Sequence, residues 1–190
     1  MKGYVYHGSP KEGLKELKIV KEGSHGKKCI YATPNPVLPL IFMGKGRGDL
    51  DKDINIDENG KIQLTERRPG IFKELYDKSG YLYTLDGKNF EYYDYLWPLE
   101  VISFQDEKIL HEQKIENILQ QLIACHNNNQ IELFVYPNRP MHIPLDNSDL
   151  VEKYVNFYKS GKEKAIEELL YVYPELEEQV ISYMNKKSRH

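Results

Sequence analysis

A chain of 190 residues with 40% hydrophobic and 29% charged residues has the material for one sizeable domain, or for a domain of about 110 residues with an appendage, and no signature of disorder. Its net charge of -3 and pI near 6.1 exclude a generally basic nucleic-acid-binding face, though not a local basic patch. Two isolated cysteines, Cys29 and Cys125, exclude a disulfide framework and a cysteine zinc site.

The first element is a strand of alternating Tyr and Val, Tyr4-Val5-Tyr6, that stops at His7-Gly8-Ser9-Pro10. A histidine at a strand end is held rigidly, and the glycine after it lets a ligand or a neighbouring backbone approach. Residues 11–21 read as a loop with a short edge segment, and Gly23 to Lys28 as a flexible basic link containing His25. Cys29 to Thr33 reads as a short buried strand ended by Pro34-Asn35-Pro36. Asn35 or Thr33 is expected to cap an apolar, buried helix over Val37 to Met43. That is the longest apolar run. It is broken by Pro39, is far too short to span a bilayer, and follows no apolar leader, so a cytoplasmic location and no membrane partner are expected.

Gly44-Lys45-Gly46-Arg47-Gly48-Asp49 lacks the ending of a nucleotide P-loop, which leaves only Lys45 and Arg47 as loop cations within reach of a phosphate. From Asp51 to Ser103 the pattern is that of strands. Ile54 and Ile56 lead through the turn Asp57-Glu58-Asn59-Gly60 to Ile62 and Leu64. Asp49, Asp51, Asp53 and Asp57 lack EF-hand spacing, so no metal is expected. Further strands are expected over Ile71 to Tyr76, Gly80 to Leu85 and Leu99 to Phe104, with Phe90 to Tyr95 between the last two. Glu107 to His126 shows helical spacing of Ile109, Ile115, Ile118, Leu119, Leu122 and Ile123. A strand over Ile131 to Tyr136 and three helices beginning near Leu150, Lys162 and Pro174 complete the chain. Domains are therefore expected at 1–106, rich in strands, and 107–190, mostly helical and packed on the first. In the second, Arg139 between two prolines is a preset cation that either faces an anion or tethers a turn.

Three stretches carry candidate chemistry: Tyr6-His7-Gly8-Ser9, Ile30-Tyr31-Ala32-Thr33, and Glu91-Tyr92-Tyr93-Asp94-Tyr95. Each residue also has an ordinary reading. His7 suits a strand end bonded to backbone, Tyr31 a core position, and Glu91 an exposed strand position, while Asp94 and Glu100 compete with Glu91 as carboxylates. Taken together and in this order, the stretches resemble the ADP-ribosyltransferase superfamily, in its diphtheria-toxin and poly-ADP-ribose-polymerase branch of His-Tyr-Glu type. The resemblance covers residues 4–104.

That resemblance implies an α+β fold with a split antiparallel β-sheet around NAD, which serves as substrate, and a mostly helical C-terminal extension. It implies that His7 bonds the nicotinamide-side ribose, that the Gly8 backbone pairs with the carboxamide, and that Tyr31 stacks on the nicotinamide. Ser9 would add a ribose or phosphate contact. Glu91 would be the catalytic carboxylate, stabilising the oxocarbenium-like state formed as nicotinamide leaves. The short stretch between Tyr31 and Glu91 favours mono-ADP-ribosyl transfer to a protein or nucleic acid, or NAD glycohydrolysis, over chain elongation. The RNA 2'-phosphotransferase branch shares the fold but uses paired histidines and arginines, of which only His7 is in place. The alternative from another class is a non-catalytic ligand-binding or interaction module with the same fold.

Overall fold

The structure, a computed structural model, describes residues 2–19 and 28–186. The link containing His25, and the terminal His190, lie outside the described residues. The fold is α+β. In chain order come β1 (Tyr4–Ser9), β2 (Glu16–Leu17), β3 (Ile30–Ala32) and α1 (Leu38–Met43). Next are β4 (Lys52–Ile56), β5 (Ile62–Glu66), α2 (Ile71–Tyr76), β6 (Gly80–Asp86) and β7 (Val101–Ser103). They are followed by β8 (Glu107–Ile115), α3 (Ile118–Asn127), β9 (Ile131–Phe134), α4 (Asp149–Lys159), α5 (Ala165–Val172) and α6 (Glu177–Lys186). No described helix is long and apolar enough to cross a membrane.

The chain folds as two compact units, each drawn from two segments. The first is Met1–Lys45 with Phe72–Gln130, the second Gly46–Ile71 with Ile131–His190. Residues 107–130, expected with the C-terminal extension, thus belong to the first unit, and the Asp57 hairpin belongs to the second.

The first unit is a curled antiparallel sheet in the order β1-β6-β8-β2. β1 pairs with β6 along its whole length, from Tyr4 opposite Asp86 to Ser9 opposite Tyr81. A register shift between Thr84 and Leu85 bends the β6–β8 ladder. The antiparallel pair β3–β7 joins β1 through a single bridge. There the Tyr6 N–H donates to the Thr33 carbonyl (2.8 Å) and the Thr33 N–H to the Tyr6 carbonyl (3.0 Å). With one residue pair bonded, β1 and β3 diverge beyond it, and the sheet splits beside His7. Val5, Leu85, Phe90, Val101, Ile30 and Ala32 cluster in a buried core that ties the two wings together. Each such side chain contributes roughly 1.5–3 kcal/mol by leaving water. Helix α1 lies so close to β1 that a Cβ on Gly8 would sit 2.6 Å from the Pro39 carbonyl oxygen, so only glycine fits.

The second unit holds the β4–β5 hairpin, closed by Asp57, whose Oδ1 accepts the N–H groups of Asn59 and Lys61. Gly60 supplies the left-handed turn with φ +81°. β9 adds to β5 in parallel, not antiparallel, fashion. Helices α4 to α6 bury Leu150, Val155, Leu169, Leu176 and Val180 against one another, and the Tyr173 hydroxyl donates to the Leu50 carbonyl (2.6 Å).

Two expected elements change type. Ile71 to Tyr76 is a helix, because its buried residues Ile71, Phe72, Leu75 and Tyr76 recur at i, i+1, i+4 and i+5, the spacing of a helical face and not of a strand. Glu107 to Ile115 is a strand, and only from Ile118 does the helical spacing of Leu119, Leu122 and Ile123 hold. Asn117 marks the change, its side-chain oxygen accepting the Gln120 N–H to start α3. In α1 the expected burial holds except at Phe42, which stands exposed.

Candidate functional site

The site grows from the split in the first unit's sheet. β1 ends beside it, and the bridge at Tyr6 and Thr33 places His7 next to Tyr31 of β3. His7 Nδ1 lies 2.9 Å from the Tyr31 carbonyl oxygen. A carbonyl only accepts, so Nδ1 carries the proton and Nε2 of the neutral ring is left with a lone pair for a ligand hydroxyl. Burial pushes the His7 pKa below its ordinary value, and the bond to the Tyr31 carbonyl opposes that shift only in part.

These groups line one cavity of about 190 Å³ together with Tyr6, Gly8, Thr33, Phe42 and Glu100. Pockets for whole drug-sized ligands run to about 300–1,000 Å³, so this one has room for a fragment only. Tyr31 reaches it from a small cluster of Cys29, Leu96 and Ile102, against which Tyr93 also packs. Glu100 enters from the residue just before β7, and its carboxylate accepts the Trp97 N–H (3.3 Å).

Of the five residues expected at the site, the structure brings His7, Gly8 and Tyr31 together and leaves Glu91 and Ser9 outside the cavity. Glu91 bridges Ile102 on the edge of β7 that faces away from β3, and its exposed carboxylate accepts the Tyr93 hydroxyl (2.9 Å). Ser9 is buried, and its Oγ accepts the Lys11 N–H (3.1 Å). The carboxylate in the cavity is Glu100. Its signal in the sequence is position, since it directly precedes the strand that pairs with the Tyr31 strand.

The remaining candidates have structural roles. The Arg47 guanidinium sits 5.2 Å from the centre of the Tyr171 ring. Arg139 donates to the carbonyls of Pro144 and Arg67 and to the Asn147 side chain, tethering its turn. Asp49, Asp51 and Asp53 form ion pairs with Lys153, Arg68 and Arg67. His111 lies in β8 and His126 in α3, and the described residues hold no group of three or more His, Cys, Asp or Glu suited to a metal. A larger hollow of about 790 Å³ in the second unit is an open trough beside α4 and α6, lined among others by Asp149, Glu152, Lys153 and Glu178.

The depressed His7 pKa has a measurable consequence. Between the folded-state pKa and the ordinary value near 6.5, the unfolded chain binds more protons than the folded one, so stability rises with pH through that window. His7's contribution is fully present above about pH 6.5 and is lost as pH falls through its folded pKa. Imidazole NMR is expected to show a ring that is neutral and Nδ1-protonated at about pH 6.5 and titrates below it. Urea midpoints at pH 7.5 and 5 are expected to differ less for His7→Gln than for wild type. An imidazole that titrates at or above the ordinary value contradicts this reading.

No protein-family model matches the chain, and no curated protein or solved structure shows significant similarity to it.

Proposed function

We propose that the first unit binds the nicotinamide-ribose end of NAD in the His7 cavity and cleaves its glycosidic bond. The ADP-ribose then passes to an acceptor or to water. The observation that carries this reading is the convergence of His7, Tyr31 and Glu100 on one cavity at the split of an antiparallel sheet. It takes the roles implied by the resemblance, with Glu100 in place of Glu91.

The chemistry follows from these side chains. Nicotinamide departs from the ribose C1′ with the electrons of the C–N bond, leaving positive charge shared between C1′ and the ring oxygen. A carboxylate fixed beside that carbon stabilises the charge, and does so more strongly in a half-enclosed cavity than in water. The His7 Nε2 lone pair accepts a ribose hydroxyl and orients the sugar. The Tyr31 ring offers a flat face to the nicotinamide, and the Gly8 backbone, which lines the cavity, pairs with the carboxamide. An acceptor nucleophile then bonds to C1′ and gives up its proton.

Calorimetric titration with NAD, paired with chromatographic detection of released nicotinamide, tests the proposal. Saturable binding with release of nicotinamide is the expected result. Absence of binding at millimolar NAD overturns it. Binding without release identifies the non-catalytic module instead.

A further inference from the structure

Beside the cavity the first unit exposes more aromatic surface than a solvated loop needs. Tyr92 and Tyr95, on the segment before β7 that forms no regular strand, are 54% and 41% exposed, and Phe104, directly after β7, is 47% exposed. Tyr95 and Phe104 are joined through the half-buried Tyr93 ring. Tyr93 lies 5.4 Å from Tyr95 and meets Phe104 edge-on at 5.9 Å. The same segment reaches the cavity rim, where Trp97 meets exposed Phe42 edge-on at 6.4 Å. Its backbone is bonded to Glu100. Large exposed aromatic patches mark interaction sites on soluble proteins.

Charge says what covers this one. Residues 91–107 include Glu91, Asp94, Glu100, Asp106 and Glu107 and no Lys, Arg or His. Asp106 is neutralised by Lys18, and Glu107 is buried against Ser103 and Asn89. Glu91 and Asp94 are exposed among the tyrosines and have no ion pair among the described residues. Aromatic faces interleaved with carboxylates attract a cation twice over, through the rings and through the charge, and a guanidinium satisfies both at once. The same carboxylates repel the phosphates of a nucleic acid.

We infer that this aromatic and acidic face docks a basic polypeptide segment, an arginine side chain lying across the exposed Tyr95 ring of the cluster of Tyr93, Tyr95 and Phe104, with Glu91 and Asp94 as its counter-charges. As the acceptor's docking surface it rests on the NAD reading above. As a binding surface it stands by itself.

Trp97 is the chain's one tryptophan and lies two residues beyond Tyr95 on the same segment, so its emission is used to report occupancy. Octa-arginine titrated into the full chain at low salt is expected to give a saturable change that 0.5 M salt abolishes. Glu91→Gln with Asp94→Asn is expected to weaken it at least tenfold, and Tyr95→Ala, which keeps the charge, by severalfold. Glu175→Gln with Glu178→Gln, in the second unit, is expected to leave it unchanged. Decathymidine is expected to produce no change at the same concentrations. The inference is overturned if octa-arginine fails to saturate by millimolar concentration, or if the second-unit pair weakens it as much as the Glu91 and Asp94 pair. It is equally overturned if decathymidine binds more tightly. NAD titration of wild type in the same buffer keeps the two failures apart, since each binding event is scored without the other ligand.

Discussion

Glu100→Gln is expected to lower nicotinamide release about 100- to 1,000-fold while leaving NAD affinity within a few-fold. The glutamine side chain keeps an oxygen that accepts the Trp97 N–H at the same place, so the segment before β7 stays anchored and the cavity keeps its shape. What disappears is the charge. A unit charge about 4 Å from a developing cation is worth about 4 kcal/mol at an effective dielectric constant of 20, and about 1 kcal/mol in bulk water. Glu100 is half-buried, so the effect belongs between these limits and toward the upper one. Because the ribose acquires its positive charge only as nicotinamide leaves, the loss falls on kcat and not on KM. Glu91→Gln, with its side chain outside the cavity, is expected to change NAD hydrolysis by less than about threefold on the same scale. Initial rates for both variants across a range of NAD concentrations decide between the two carboxylates. A Glu100→Gln enzyme that retains wild-type kcat removes Glu100 from the mechanism.

The contrast between Glu91 and Glu100 shows what the residues reveal when read in order and what they conceal. The His7-Gly8 strand end, the Tyr31 strand and the hairpin at Asp57 to Gly60 are local features, set by alternation and by turn residues, and they stand where the pattern puts them. Choosing between two carboxylates nine positions apart needs the pairing of β7, because that pairing puts one at the cavity and the other across Ile102 at a sheet edge. Pairing of this kind depends on long-range register. The same applies to β8. Its sparse apolar residues fit either period, and its bonds to β6 and β2 make it a strand. The partners of the acidic run Asp49 to Asp53 are hidden for the same reason, since Lys153, which pairs with Asp49, and His142, which lies against Asp53, are far along the chain.

That distant pairing leads to the largest stability effect expected in the second unit. Arg67, 2% exposed at the end of β5, donates to both oxygens of Asp149 (3.0 and 2.7 Å), and also to Asp53 (3.3 Å) and to the Asn147 side chain (3.3 Å). One guanidinium thus joins the sheet to the start of α4. Arg67→Met retains much of the volume but leaves two aspartates facing each other without their cation. Breaking a buried pair from one side costs about 3–5 kcal/mol. Asp53 and Asp149 keep 20% and 30% of their side-chain surface in water, so they recover some hydration and the loss belongs near the lower end. At about 3 kcal/mol and a urea slope of about 2 kcal/mol per molar, the midpoint is expected to fall by about 1.5 M. Far-UV circular dichroism reports α4 to α6 together with the shorter helical content of the first unit, whereas Trp97 emission follows the first unit alone. The circular dichroism transition is expected to carry the shift. Adding Asp149→Leu to Arg67→Met is expected to restore part of the loss, because it removes one uncompensated charge and fills the gap with apolar volume. If the double variant is less stable than Arg67→Met alone, the guanidinium is not acting mainly as the counter-charge of Asp149, and the packing of its aliphatic stem carries the larger share.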